Sequence, residues 1–271
     1  MTTRSVAVLG SGTASAVLPV TIQRLDDEDV HPVIVNPRLA VFAFTPYERL
    51  LVDLAYVDAA EIASARGHGA ILVNSFADYG LEAMRARLAI PAIGAGEAAI
   101  ALAAQGGRRF GIVTVWPASL QHLYDERLAR VPGAHQCTEV RHVFDERELA
   151  RLRSADGVMQ RMQHADKAVI DAIVAACDES LASAGSECIV LGCTCMTSIA
   201  AEVAGRIDAP LIDPVATGYL KARDAALHGT VREPPAGSSD ASVGALIDAW
   251  LAAGTPTGNA ADCPVCILPS D

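Results

Sequence analysis

Two segments of the chain place a residue capable of proton transfer at the end of an apolar run. They are Ile71-Leu-Val-Asn-Ser-Phe-Ala-Asp-Tyr-Gly-Leu81 and Ile189-Val-Leu-Gly-Cys-Thr-Cys-Met-Thr-Ser-Ile199. Each predicts a short buried strand, then a hydroxyl or thiol, then a helix start. A proline-led strand follows both, 16 residues after Ser75 and 17 residues after Cys193. This matched spacing favours two similar units over a chance repeat of ordinary strand–helix alternation.

Cys193 has the type and position of an acid/base group. A thiol between a strand end and a helix N-terminus feels the positive end of that helix, so its thiolate forms more easily. Cys195 either lines the same pocket or simply begins the helix. The remaining cysteines of the central region are interpreted as buried packing residues: Cys137, Cys177 and Cys188.

A second pair of strand ends carries small polar residues. Leu9-Gly-Ser-Gly-Thr13 and Val113-Thr-Val-Trp-Pro117 both lead from a predicted strand into a helix. Backbone N–H groups at such turns bind carboxylate or imide oxygens, so we expect Ser11 and Thr114 near a bound ligand. The first turn lacks the full GxGxxG pattern of dinucleotide-binding folds, which argues against a dinucleotide cofactor.

The chain as a whole alternates short apolar runs with amphipathic stretches. Strands are predicted at 6–9, 33–35, 71–73, 92–93, 110–115, 189–191 and 211–212, and helices at 48–66, 79–88, 96–104, 117–130, 156–184, 197–207, 215–227 and 241–253. Continuous apolar strands between helices predict an α/β fold with mainly parallel sheets, and substrates bind such folds beyond the carboxyl ends of the strands.

Composition excludes several classes of protein. The 271 residues can build one large domain or two lobes. A net charge of −11 without a basic block argues against nucleic-acid binding. No apolar run is long enough for a membrane span, and the first apolar run is too short for a signal peptide.

The cysteine and histidine pattern argues against a disulfide scaffold and a metal site. Seven cysteines, an odd number in a long chain, predict reduced thiols and a cytoplasmic protein. Cys263-Pro-Val-Cys266 has CxxC spacing in a Gly/Pro-rich tail, where zinc would need two further ligands, for example from a partner subunit. The histidines show no zinc-binding spacing, and Asp26–Asp29 is interpreted as a solvated turn. We expect no metal.

Two motifs resemble a known family. Leu191-Gly-Cys-Thr-Cys-Met196 resembles the second-cysteine motif of the aspartate/glutamate/hydantoin racemase superfamily. Asn74-Ser-Phe-Ala-Asp-Tyr-Gly-Leu81 resembles the first motif of hydantoin racemases, which has a cysteine at the position of Ser75. The resemblance extends through Ile93–Ala99, Phe110–Thr114 and Leu211–Val215, and covers roughly residues 1–228.

The resemblance implies two facing, pseudo-symmetric α/β lobes with the active site between them. Residues 1–95 plus 214–230 would form the first lobe, 96–213 the second, and 231–271 a linker, an extra helix and a flexible tail. In the family, a cysteine from each lobe works on opposite faces of a carbon beside a carbonyl, without any cofactor. Cys193 matches the second cysteine and Ser75 the first. The implied substrate-binding residues are Ser11, Tyr47, Asn74, Phe76, Thr114 and Thr194.

Ser75 is the departure from the family pattern. A serine hydroxyl is far less acidic than a thiol, so inversion through Ser75 should be slow unless a base assists it. We therefore expect a cofactor-independent racemase or epimerase of an amino acid derivative, hydantoin-like or an amino acid, with Ser75 either native or substituted for a cysteine. The alternatives are a decarboxylase or isomerase that uses Cys193 alone, and a non-catalytic small-molecule-binding relative. We further expect a homo-oligomer with a small-molecule substrate and no nucleic-acid or membrane partner.

Overall fold

A computed structural model describes residues 4–10, 17–39, 41–151, 154, 156–229 and 242–253. Ser11 and the Cys263/Cys266 pair therefore lie outside the described residues. Among the described residues, no helix is long and apolar enough to cross a membrane.

Eight elements build the first half of the chain around a four-stranded sheet. In chain order they are β1 (Arg4–Leu9), α1 (Val20–Leu25), β2 (Val30–Val35), α2 (Pro46–Ala65), β3 (Ala70–Val73), α3 (Leu81–Arg87), β4 (Ala92–Gly94) and α4 (Ala95–Ala103). All strand pairs are parallel, in the order β2-β1-β3-β4. Because β3 is central and covered on both faces, all four of its residues are buried, which explains its uninterrupted apolar sequence.

The second half repeats this topology. Its elements are β5 (Phe110–Thr114), α5 (Gln121–Arg130), β6 (Cys137–His142), α6 (Glu146–Ala150), α7 (Val158–Gln163), α8 (Lys167–Ser183), β7 (Cys188–Leu191), α9 (Ala200–Ala204), β8 (Leu211–Ile212) and α10 (Pro214–His228). The sheet is again parallel, in the order β6-β5-β7-β8. Strands β3 and β7 thus hold equivalent places, which confirms the predicted α/β fold with two similar sheets.

The two sheets are linked by helix α4 and by much of one core. Helix α10 packs on β1, β3 and β4, while α4 contacts β4 of the first sheet and β7 and β8 of the second. One cluster of buried residues includes Val73 and Phe76 beside the first sheet and Ile112 and Leu191 in the second. The predicted lobe boundary at residues 95 and 96 falls at the start of α4, the helix that lies between the sheets.

Several elements of the structure differ from those that the sequence predicts, and no range is predicted for the short helices α1 and α6. Strand β6 was not predicted, because its sequence Cys-Thr-Glu-Val-Arg-His is mostly polar and each of its residues is only half-buried. The single helix predicted at 156–184 is two helices, α7 and α8, separated at Ala165 with φ of 51°. The helix predicted at 197–207 is a 3₁₀ helix, Thr194–Ile199, followed by α9.

The last described helix, α11 (Val243–Ala252), lies against α2. Arg38 joins them: its Nε donates to Asp58 Oδ2 at 2.8 Å, and its Nη1 pairs with Asp248. Ile247 is buried against Leu39 and Ala55 beneath this pair. The helix thus covers the outer side of α2, whose inner side carries residues of the cleft described below.

Gly96 allows α4 to approach the loop that follows β3. A Cβ atom built at Gly96 would lie 2.0 Å from the carbonyl oxygen of Phe76, closer than any real contact. Without a side chain at this position, the Gly96 N–H donates to Asp78 Oδ1 at 2.9 Å. The loop that carries Ser75 is therefore pressed against the start of α4.

The substitution Gly96→Ala is expected to lower the free energy of unfolding by about 1–3 kcal/mol, because the added methyl group must push the Phe76 loop away. Urea denaturation measures this change. Gly205→Ala is the matched control, since a Cβ there meets its nearest atom at 3.5 Å, an ordinary contact. Equal losses in the two variants would contradict the close approach.

Candidate active site

A cleft with contributions from both halves of the chain lies beyond β3 and β7. The space in and directly in front of it, including the part open to solvent, is about 710 Å³. Its aromatic lining residues are Phe42, Tyr56, Phe76, Tyr79, Trp116 and Tyr124; its polar ones are Asn74, Ser75, Cys193 and Thr194; the others are Val41, Ala43, Val52, Ala77, Leu120, Leu123 and Gly192. None of these lining residues, all within the described part of the chain, carries a charge.

The loop after β3 folds around the Ser75 hydroxyl. The Ser75 N–H donates to the Val73 carbonyl at 2.9 Å, and the Asp78 N–H donates to the Ser75 carbonyl at 3.2 Å. The Ala77 N–H donates to Ser75 Oγ at 3.3 Å. A tight turn therefore holds the hydroxyl oxygen in front of a backbone donor.

The loop after β7 repeats this arrangement at Cys193. The Cys195 N–H donates to Cys193 Sγ at 3.1 Å, as the Ala77 N–H does to Ser75 Oγ. Gly192 anchors the turn, its N–H donating to the Val113 carbonyl at 2.8 Å. A hydrogen bond to a sulfur or oxygen atom stabilises negative charge on it, so both positions suit a proton-transfer group.

One hydrogen bond joins the two loops directly. The Thr194 hydroxyl donates to the Asn74 carbonyl at 3.3 Å. The ends of β3 and β7 therefore meet, and Ser75 and Cys193 line one cleft.

The structure corrects the expectation that the cysteines are reduced. Cys193 and Cys195 are joined by a disulfide, with their Cα atoms 5.2 Å apart. The physical reason is that the tight turn brings the two side chains together at a separation of two residues. A bonded sulfur carries no exchangeable proton, so Cys193 can act as an acid or base only after reduction. The free cysteines of the described residues are Cys137, Cys177 and Cys188.

Five of the predicted site residues line the cleft: Asn74, Ser75, Phe76, Cys193 and Thr194. Asn74 is only 8% exposed, and its Oδ1 has no hydrogen-bond partner among the described residues. A buried acceptor without a partner is costly, which points to a ligand donor at this position.

Two further predicted residues lie elsewhere. Thr114 is fully buried outside the lining, where its Oγ1 lies 2.5 Å from the Tyr124 hydroxyl and accepts the Trp116 N–H at 3.2 Å. It supports the wall of the cleft. Tyr47, in the first turn of α2, is 70% exposed and is not a lining residue.

Sequence reasoning missed Tyr124, which connects the wall to the Cys193 turn. Its hydroxyl donates to the Gly192 carbonyl at 3.0 Å, and its ring lies 5.4 Å from that of Phe76. Burial raises the pKa of this hydroxyl, so Tyr124 is neutral and serves as a donor. Only its helical spacing was visible in the sequence, and that spacing is the same for packing residues.

The aromatic wall also includes residues from the segment before α2 and from α2 itself. Phe42 packs against Trp116 with ring centroids 5.4 Å apart, and Tyr56 against Tyr79 at 5.3 Å. The guanidinium carbon of Arg49 lies 5.0 Å from the centre of the Tyr79 ring. Its positive charge is balanced by Glu126, whose Oε2 lies 2.8 Å from Arg49 Nη1. The cleft is thus a neutral, aromatic environment with a few polar atoms at one end.

Asp78 holds the Ser75 loop on α4. Its carboxylate accepts the N–H groups of Gly96 at 2.9 Å and Glu97 at 2.7 Å, and Arg127 lies 3.8 Å away. Burial raises the pKa of the Asp78 carboxyl to about 7, although Arg127 and the two N–H groups oppose this shift.

The raised pKa predicts how stability depends on pH. Between about pH 5.5 and pH 7 the unfolded carboxyl has lost its proton while the folded one retains it, so the folded state weakens as the pH rises. Relative to Asp78→Asn, the wild-type protein should lose about 2 kcal/mol of unfolding free energy between about pH 5.5 and 8. Urea denaturation of both proteins across this range measures the difference. A difference that is constant, or that grows with pH in favour of the wild type, would contradict the buried titration.

Most of the chain matches a known protein family. The family model of the Asp/Glu/Hydantoin racemases matches residues 6–222. The hydantoin racemase of Paenarthrobacter aurescens is 28% identical over 146 residues, which are 54% of this chain and 56% of that protein. The chain thus matches little more than half the length of this curated relative.

Solved structures share the fold over most of the chain. The allantoin racemase from Klebsiella pneumoniae has a TM-score of 0.74 at 19% identity, covering 89% of this chain and 96% of that one. Arylmalonate decarboxylase has a TM-score of 0.55 at 20% identity, covering 85% and 96%. At these identities the structures show the fold alone. The family match over most of the chain, on two repeated parallel sheets, shows that the protein belongs to the Asp/Glu/Hydantoin racemase family.

Proposed function

We propose that this protein is a racemase or epimerase that moves a proton at the carbon beside a carbonyl group in a hydantoin-like amino acid derivative. The observation that carries the proposal is the equivalence of Ser75 and Cys193. Each follows the strand at the same inner position of its four-stranded sheet, accepts a hydrogen bond from the N–H two residues later, and lines the same cleft.

The chemistry requires the reduced form of Cys193. Its thiolate removes the proton from the carbon, and the electron pair of the broken C–H bond moves into the carbonyl to form an enolate. Return of that proton by Cys193 regenerates the substrate, whereas delivery from the Ser75 side gives the opposite enantiomer. Because a serine hydroxyl is a weak acid, delivery from the Ser75 side is the slow step.

The cleft favours a neutral ring with an N–H donor. An uncharged lining gives no counter-ion to a dicarboxylic amino acid, and an ionised carboxylate is costly to bury without one. The Asn74 Oδ1 atom, which is buried and has no partner within the described part of the chain, can accept a ring N–H. The cleft is open to solvent at one side, and its lining of aromatic and apolar side chains with a few polar atoms is the kind that binds a small ring with an apolar substituent.

A second candidate function is one-sided chemistry, which the serine at position 75 favours. A decarboxylase of a malonate-type substrate would need only the Cys193 thiol, to protonate the enediolate left by the loss of CO₂. The uncharged lining speaks against it, since such a substrate brings two carboxylates into the cleft.

Deuterium exchange separates these functions. The reduced protein is incubated in D₂O with each enantiomer of 5-benzylhydantoin. For one enantiomer, the hydrogen on the ring carbon is expected to exchange for deuterium faster than the configuration of that carbon inverts. Ser75→Cys should raise the rate of inversion by about 100-fold or more, because a thiol supplies the missing acid/base group. Cys193→Ser should abolish both reactions. Mass and chiral chromatography measure exchange and inversion, and samples without protein correct for spontaneous exchange.

The proposal fails if neither the wild type nor Ser75→Cys exchanges the C–H bond. It also fails if Cys193→Ser retains exchange. Release of CO₂ from phenylmalonate by the reduced wild type would instead favour the decarboxylase. Binding of the hydantoin without any exchange would identify a non-catalytic relative.

Asn74 should determine the affinity for the ring N–H. Asn74→Leu keeps the size of the side chain but removes the acceptor, and is expected to raise the KM for 5-benzylhydantoin exchange by about tenfold. The matched control is the N-methylated hydantoins, which lack one donor each. Methylation of one ring nitrogen should raise the KM of the wild type but not that of Asn74→Leu. That nitrogen carries the N–H that Asn74 accepts. If no position behaves in this way, the assignment of Asn74 is wrong.

A further inference from the structure

Cys193 and Cys195 form the one disulfide within the described part of the chain, and one of its sulfurs belongs to the proposed acid/base group. Cys193 is 8% exposed and lines the cleft, while Cys195 is half-buried in the first turn of the 3₁₀ helix. The more accessible thiol of the pair is therefore Cys195, and the chemically important one is Cys193.

The other described cysteines are protected from oxidation. Cys177 and Cys188 are fully buried in α8 and β7. Burial raises the pKa of the thiols of Cys137 and Cys177 to about 12, and it also raises the pKa of Cys188. Since the thiolate is the reactive form, these three thiols react slowly with oxidants and disulfides.

We propose that the Cys193–Cys195 pair is a site of reversible thiol modification, at which a low-molecular-weight disulfide such as oxidised glutathione converts the dithiol into the disulfide and stops proton transfer. The loss of activity rests on the proposed function, whereas the modification itself does not.

The reaction balances as two thiol–disulfide exchanges. The Cys195 thiolate attacks one sulfur of the small disulfide, breaks its S–S bond and releases the first small thiol. The Cys193 thiolate then attacks the Cys195 sulfur of the mixed disulfide and releases the second. The two cysteines lose two electrons and two protons, and the small disulfide gains both as two free thiols. Excess small thiol reverses both steps.

The geometry predicts that formation of the Cys193–Cys195 disulfide prevents proton transfer by Cys193 but does not change the shape of the cleft. With the disulfide in place, the Gly192 N–H still bonds the Val113 carbonyl at 2.8 Å, and Thr194 still bonds Asn74 at 3.3 Å. The cleft retains its aromatic lining and the Asn74 acceptor. Oxidised protein should therefore bind the neutral ring without exchanging its C–H bond.

The reduced 271-residue chain is treated with oxidised glutathione. Intact mass, free thiols and 5-benzylhydantoin exchange are measured, each relative to the same protein before treatment. By peptide mapping, wild type is expected to lose the thiols of Cys193 and Cys195 without keeping an adduct on either; it should also lose exchange, keep hydantoin binding by calorimetry, and recover with dithiothreitol. Peptide mass spectrometry should locate the bond between Cys193 and Cys195.

Three variants make the assignment specific. Cys193→Ser should keep a stable glutathione adduct on Cys195, because the resolving thiol is gone. Cys195→Ser should keep its exchange activity during the treatment, because Cys193 reacts poorly from inside the cleft. Cys137→Ser is the matched control and should respond as the wild type does.

Two results would overturn the proposal: no Cys193–Cys195 bond in treated wild type, or equal loss of exchange by Cys195→Ser and wild type. Failure of the proposed function is distinguishable from both. In that case the reduced wild type shows no exchange, while the mass and thiol measurements on the four proteins still decide whether the pair is modified.

Discussion

The structure depends on one constraint: two fully buried parallel strands, β3 and β7, end at the same cleft. Each strand lies second from the edge of a four-stranded sheet with the same strand order, so the residues after it emerge at the same place in each half. Both turns then point a heteroatom at the N–H two residues later. The hydrogen bond between Thr194 and Asn74 joins the turns, so two positions far apart in the chain line one cleft.

Charge is distributed in a way that keeps this site neutral. The protein carries a net charge of −11, yet the lining of the cleft is uncharged and charged side chains next to lining residues are paired with one another. Arg49 pairs with Glu126, and Arg127 lies beside Asp78. These pairs connect α2 and the Ser75 loop with α5, so the same contacts that hold the halves together leave the lining aromatic and uncharged. Such a lining suits a neutral ring at whose carbon a proton is removed and returned.

Much of the fold could be predicted because its signals are local. The uninterrupted apolar runs of β3 and β7 identify buried parallel strands, and the matched spacing around Ser75 and Cys193 reflects the repeated topology. Strand β6 escaped prediction because an edge strand with half-buried polar residues has no apolar run. The break between α7 and α8 escaped it because Ala165 adopts a positive φ that no glycine marks, while Asp166 caps the next helix.

The sequence by itself determined which residues could do the chemistry and that they follow equivalent strands, because residue type, strand apolarity and spacing along the chain are all local properties. Only the tertiary structure decided which polar residues reach the cleft. Thr114 ends a strand as predicted, but Tyr124 packs over it and takes its place in the wall. Only the tertiary structure, likewise, showed the Cys193–Cys195 bond. A thiol and a disulfide have the same sequence, and their difference depends on how tightly a turn brings two side chains together.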